Sequence, residues 1–178
     1  MNFLQKLIFL LFLHCIQASL NTPCILRQNK IKSILRGKYQ NLLSIQSNAL
    51  LSTARLNYFA GGFHNSIPTR DAIYMVNWSV GFTFCALNQS IEFRTIQSYQ
   101  INTVFLRLWD GSNRTYNFQV FISYNGVEKL IYDSITASGN INLKFQDQYV
   151  DKIRFYNRGG NTENVYLILI KVEAIYKF

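Results

Sequence analysis

The chain has 178 residues, 49% of them hydrophobic and 15% charged, with a formal net charge of +9. That balance excludes an intrinsically disordered protein. It leaves, after a short leader, enough chain for one domain around a single core.

The first segment predicts the compartment. Residues 1–18 carry one basic residue, Lys6, ahead of an apolar run from Leu7 to Ile16, and the small residues Ala18 and Ser19 follow. The run is about half the roughly twenty residues that span a bilayer, so it is expected to be a cleaved secretory signal. An uncleaved signal anchor fits less well, given the short run and His14. Mitochondrial targeting is disfavoured because the segment lacks Arg. The expected location is therefore secreted or on the extracellular surface.

Residues 19–47 form a basic arm. From Ser19 to Arg70 there are seven basic residues (Arg27, Lys30, Lys32, Arg36, Lys38, Arg55, Arg70) and no acid, whereas ten basic and nine acidic residues follow Arg70. Such an arm suits anionic lipid, acidic glycan or an acidic protein, and a solvated charged face is the plain alternative. Nucleic acid is disfavoured by the secretory signal. Within Ile25 to Ile45, apolar Ile31, Ile34, Leu35 and Leu42 fit a short amphipathic helix broken near Gly37, or an irregular arm leading into the first strand.

Residues 48–178 are predicted to be one β-domain. Leu56 to Arg70, with Gly61-Gly62 and Pro68, is expected to be a long loop displaying Tyr58, Phe59 and Phe63. Alternating runs then follow at "SIEFRT", "INTVFLRL", "YNFQVFIS", "INLKFQ", "KIRFYN" and "VYLILIKVEAIY". Turn chemistry separates them at Asp110-Gly111, Asn125-Gly126, Ser138-Gly139-Asn140 and Gly159-Gly160. The last run is apolar on both sides, as a central strand would be. Many short strands with polar turns and little helix predict an all-β antiparallel sandwich or barrel, and there is no internal repeat.

Little in the chain suggests catalysis. Beyond the leader one histidine remains, His64, with no metal-ligand spacing around it, so it is expected to be a loop residue that contacts ligand. No nucleophile elbow or phosphate loop occurs, and most acids suit turns or exposed strand positions, so neither catalytic nor metal residues are assigned. A glycosidase carboxylate pair is the minority alternative. Cys24 and Cys85 would form one bridge in an oxidising compartment; alternatively, Cys85 is a buried thiol. Sequons at Asn77, Asn88 and Asn113 agree with a secreted glycoprotein.

The stretch "SIEFRTIQSYQINTVFLRLWDGSNRTYNFQVFISYNG" resembles the discoidin-like domains of the coagulation factor five/eight C-type family, most of all the version attached to BTB-domain proteins. The resemblance rests on Leu108-Trp109-Asp110 closing one strand and Arg114-Thr115-Tyr116 opening the next, with "SNALL" at Ser47 to Leu51 like the opening strand and "KIRFYNRGGNTENVYLILIKVEA" like the closing segment. It covers roughly Asn48 to Tyr176 and implies a galactose-binding-like jelly-roll β-sandwich. The chain departs from the family in lacking a Trp after the Asn125-Gly126 turn and a cysteine beyond Cys85, and in its expanded Leu56 to Ser79 insert. The insert lies where the family's ligand loops begin, so ligand identity does not carry over.

Asp110 and Arg114 are expected to pair across the turn, with Trp109 covering the sandwich end. In the functional alternative the two charged residues bond sugar hydroxyls beside a stacked aromatic. The expected function is a non-catalytic recognition module for glycan or glycoprotein, using Tyr58, Phe59, Phe63 and His64 with Arg114 and Arg158 as polar partners. Peripheral binding to anionic lipid and a structural subunit of an extracellular assembly are the alternatives. No cofactor is expected; the fold admits calcium, and no cluster of acids argues for it.

Overall fold

The computed structural model describes residues 41–44, 50–51, 56–58 and 82–177, with backbone alone for 50–51 and 56–58. Among the described residues there is no helix. Eight strands make an antiparallel array: β1 (Leu50–Leu51), β2 (Leu56–Tyr58), β3 (Phe82–Cys85), β4 (Ser90–Leu108), β5 (Tyr116–Tyr124), β6 (Val127–Ala137), β7 (Asn140–Asn161) and β8 (Leu167–Ile175). Their order is β2-β3-β8-β4-β7-β5-β6, with β1 beside β4.

Two strands are much longer than the sequence runs that predicted them. "SIEFRT" and "INTVFLRL" are one strand, β4, and "INLKFQ" and "KIRFYN" are one strand, β7. The two pair over 90–94 with 152–156 and again over 103–107 with 140–144, with register shifts between. The first stretch lies beside β1 and β5, the second beside β8, so β4 and β7 pass from one layer of the sandwich to the other. Bulges let a strand bend in this way and change sheets.

Alternation along the strands decides the core. Ile91, Phe93, Val104, Leu106, Phe118, Val120, Ile122, Ile153 and Phe155 are buried. Phe93 and Phe155 meet edge to face at 5.7 Å. β8 lies between β3 and β4 and is buried over most of its length, as its apolar sequence predicts. Leu42 and Leu43 are also in this core, and the Leu42 N–H donates to Ala174 O at 2.9 Å. The packed chain therefore begins ahead of residue 48, within the segment assigned to the basic arm.

Three strands went unrecognised in the sequence: β2, β3 and β6. β3 is only four residues, Phe-Thr-Phe-Cys, too short to show a pattern, and β6 is an edge strand exposed along most of its length. The Asn125-Gly126 turn joining β5 to β6 has φ of 49° and 81°, the left-handed pair that a two-residue hairpin requires. Leu56–Tyr58, expected in a loop, is strand β2, paired with β3 through Leu56↔Phe84 and Tyr58↔Phe82. The predicted helix, apart from its last residues at 41–44, lies outside the described residues.

The outer face of β5–β7 is held by charge. Arg154 lies 4.2 Å over the Phe121 ring and donates to both carboxylate oxygens of Glu128, at 2.9 and 2.6 Å. Lys152 approaches the same carboxylate at 3.0 Å. The Arg154 hydrogen bond, with Lys152 assisting, holds the Glu128 carboxyl down at about 2 from its usual 4.5. A depressed folded-state pKa stabilises the fold above the unfolded value, and that stability is lost as pH falls. Denaturation midpoints should therefore drop from about pH 4.5 towards 2, and Glu128→Gln should flatten that part of the profile.

Candidate functional site

At one end of the sandwich the β4–β5 turn (109–115) meets the β7–β8 loop (162–166) and the β3–β4 turn (86–89). Trp109 is buried, its ring 5.1 Å edge-on from Phe82, and its backbone N–H donates to Ile168 O at 3.2 Å. Its carbonyl accepts the Tyr116 hydroxyl at 2.6 Å. Burial pushes the Tyr116 phenol well above its ordinary value, so it stays a donor at all working pH. Tyr116→Phe should cost about 1–2 kcal/mol by leaving that carbonyl unpaired, measurable by urea denaturation.

Asp110 and Arg114 do not pair with each other, contrary to expectation. Asp110 takes Arg107 at 3.3 Å, while Arg107 also donates to Asn140 Oδ1 at 3.0 Å. Arg114 is buried; it donates to Ser112 Oγ at 2.9 and 2.8 Å and pairs with Glu163 of the β7–β8 loop. The reason is reach: Asn113 at φ 54° tightens the turn, and the buried guanidinium then faces the neighbouring loop. Arg114 thus clasps two loops together.

Asparagines build the β7–β8 loop. Asn161 Oδ1 accepts the N–H groups of Glu163 and Asn164 at 2.9 and 3.0 Å, and its amide donates to Asn164 Oδ1 and Tyr166 O at 2.7 Å each. The Asn157 amide, fully buried, donates to Cys85 O at 3.1 Å and Val165 O at 2.9 Å, while its oxygen accepts Gly160 N–H at 2.7 Å. One side chain thereby joins β3, β7 and the loop. This fixed frame holds out Leu87, Val165 and Tyr166, which are exposed, with Tyr166 packed edge-on against Phe84 at 4.9 Å.

Of the residues expected to bind ligand, Tyr58 lies in β2, and Phe59, Phe63 and His64 lie outside the described residues. Arg158 donates to Asn117 Oδ1 at 2.7 Å and pairs with Asp133 of β6 at 2.7 Å. Hydrogen bonding from Gln119, then from Arg158, holds the Asp133 carboxyl below its usual value. Arg158 and Arg114 share no partner, so the structure does not bring them into one cluster. Tyr166, Val165 and Leu87 escaped sequence reasoning; the signal available was an aromatic just after an Asn-rich loop.

Asn88 and Asn113 are exposed in turns with φ of 58° and 54°, and Asn77 lies outside the described residues. Cys85 is buried and its thiol donates to Gln89 O at 3.6 Å, while Cys24 lies outside the described residues. Among the described residues no three His, Cys, Asp or Glu side chains gather as a metal site.

The sequence matches no protein-family model and no curated protein sequence. Solved structures do match. The family 32 carbohydrate-binding module of Streptococcus pneumoniae EndoD superposes with a TM-score of 0.56 at 14% identity, over 78% of this chain and all (100%) of that one. The fold is that of the galactose-binding-like β-sandwiches. The family 32 module of Clostridium perfringens NanJ, in complex with galactose, gives 0.55 at 13% identity, over 72% of this chain and 94% of that one. A further Clostridium perfringens family 32 module, bound to GalNAc-β-1,3-galactose, gives 0.54 at 15%, over 73% and 96%. At these identities the likeness is one of fold.

Proposed function

We propose that this chain is a non-catalytic, secreted or surface-attached module that binds glycan or glycoprotein through the loops at the Trp109 end of the sandwich. The observation that carries this reading is the exposed Tyr166 ring on a loop held rigid by Asn157, Asn161 and Arg114. A pyranose has an apolar face and a polar rim, and a fixed aromatic beside asparagine, serine and threonine side chains suits both. The fold likeness supports the reading, because the three matched modules are named for carbohydrate binding and two are named with galactose-containing ligands.

Tyr58, Phe59, Phe63 and His64 are proposed to complete the site. The connection that carries the last three leaves β2 at Tyr58 and enters β3 at Phe82, whose ring touches Trp109. Arg114 acts by holding the loops, and Arg158 contributes at the rim. The discoidin-like domain of BTB-domain proteins is the sequence kin this reading favours.

Alanine at Tyr58 and Phe59 together, and separately at Tyr166, should abolish binding to immobilised glycan, with free galactose competing in the wild type. Unchanged affinity in both variants would remove this site. Binding to anionic vesicles that salt abolishes and sugar leaves untouched would instead support the membrane reading.

A further inference from the structure

The opposite end of the sandwich carries a different surface. β5 runs nine residues from Tyr116, beside the Trp109 turn, to Tyr124, so the Asn125-Gly126 turn lies about 30 Å away. There Tyr124 and Tyr149 stand with ring centroids 5.6 Å apart and planes inclined by 32°. Both are exposed, at 41% and 42%, which is unusual for two large rings already in contact. They wall an open cleft of about 570 Å³ with Asn125, Val127, Lys129 and Gln148. That volume is in the range of sites for small organic ligands.

A second cleft of about 320 Å³ adjoins it, sharing Ser123 and lined also by Arg94, Thr95, Gly126, Asp151 and Lys152. The sequence fits these walls to their places. Asn125 N–H donates to Asp151 Oδ2 at 3.0 Å, which ties the hairpin turn to β7. The irregularity of β4 between Arg94 and Tyr99 opens the strand where the second cleft forms.

The charges are not balanced. Lys152 is taken by Glu128 at 3.0 Å and Glu92 at 3.9 Å, and Arg94, with 59% of its side chain exposed, reaches Glu92 only at 3.5 Å. Asp151 is committed to the turn. Lys129 makes no ion pair among the described residues, and it stands in the wall of the aromatic cleft. Aromatic rings, amide groups on the rim and a cation without a counter-charge together describe a site for a sugar that carries an acid.

We propose that this cleft is a second binding site, separate from the loops at the Trp109 end, for an acidic oligosaccharide. One ring lies on Tyr124 and Tyr149, its hydroxyls meet the Asn125 and Gln148 amides, and its carboxylate or sulfate meets Lys129. The next unit passes over Ser123 towards Arg94.

The test is calorimetric titration of the full chain with three probes: a galacturonate trimer, its fully methyl-esterified form and a heparin-derived hexasaccharide. At least one acidic probe should bind and the ester should not; galacturonate binding assigns a carboxylate ligand, and heparin binding alone assigns a sulfate. Tyr149→Ala should weaken binding about tenfold, the loss of one aromatic contact. Lys129→Ala should weaken it about threefold, and added salt should mimic that loss. Lys129 lies on the surface, so its variant tests the site even if the tyrosine variant folds poorly. Failure of both acidic probes, equal binding of the ester, or binding lost with Tyr166→Ala and kept by Tyr149→Ala and Lys129→Ala would overturn the proposal.

Discussion

Asn157→Ala is expected to destabilise the domain by about 3–5 kcal/mol, from two buried polar groups and one part-buried one that lose their partner at roughly 1–3 kcal/mol each with partial rescue by water. The residue is fully buried, its amide serves Cys85 O and Val165 O, and its oxygen serves Gly160 N–H. Its backbone is committed as well, N–H to Gln89 O at 2.9 Å and carbonyl from Asn88 N–H at 2.8 Å. β3, β7 and the β7–β8 loop therefore depend on one side chain, and the β3–β4 turn is held by the same residue's backbone. For a domain of this size the loss amounts to a fall in Tm of about 10 °C or more. Asn157→Asp keeps the shape and removes the donor, setting carboxylate against two carbonyls, so it should be no milder at neutral pH. Urea denaturation of the three proteins measures this directly, and a loss below about 1 kcal/mol would mean that other groups hold the loop.

Gly160→Ala should cost about 2–4 kcal/mol through the backbone alone, the left-handed conformation contributing about 1–2 of it. Gly160 has φ 71°, and an added Cβ would stand 2.6 Å from Asn164 O and 2.7 Å from Val165 Cα. The loop cannot yield easily, because Asn161 N–H donates to Asn164 O at 2.8 Å and the Asn161 side chain binds the rest of the loop. Gly126→Ala is the control. Its φ is 81°, yet nothing lies within 4 Å of the added carbon, so only the conformational cost of about 1 kcal/mol remains. Equal losses at the two glycines would show that the loop gives way. If the Trp109 end binds glycan, Gly160→Ala should also weaken that binding, and Gly126→Ala should not.

The strands that formed the core were legible because their alternation is strict: Phe118, Val120 and Ile122 face inward just as the period requires. β6 was not legible. An edge strand with one partner need not alternate, and Val127, Leu130 and Ile135 are all exposed. The unity of β4 was hidden because the alternation breaks at Thr95 to Ser98, where the pairing with β7 shifts register and Ile96 points to solvent. At the candidate site, the importance of Arg114 was visible and its partner was not. Glu163 lies 49 positions away, and only the fold brings it to the turn. The Tyr124–Tyr149 pair was illegible for the same reason, since its two rings belong to different strands.

The most direct measurement is a glycan array probed with the secreted, folded chain, with and without calcium and at two salt concentrations. Selective binding to a few related sugars, reduced by Tyr166→Ala, is the predicted result. A blank array from protein with an intact thermal transition would contradict the account, leaving the loops around Trp109 as scaffold for another partner.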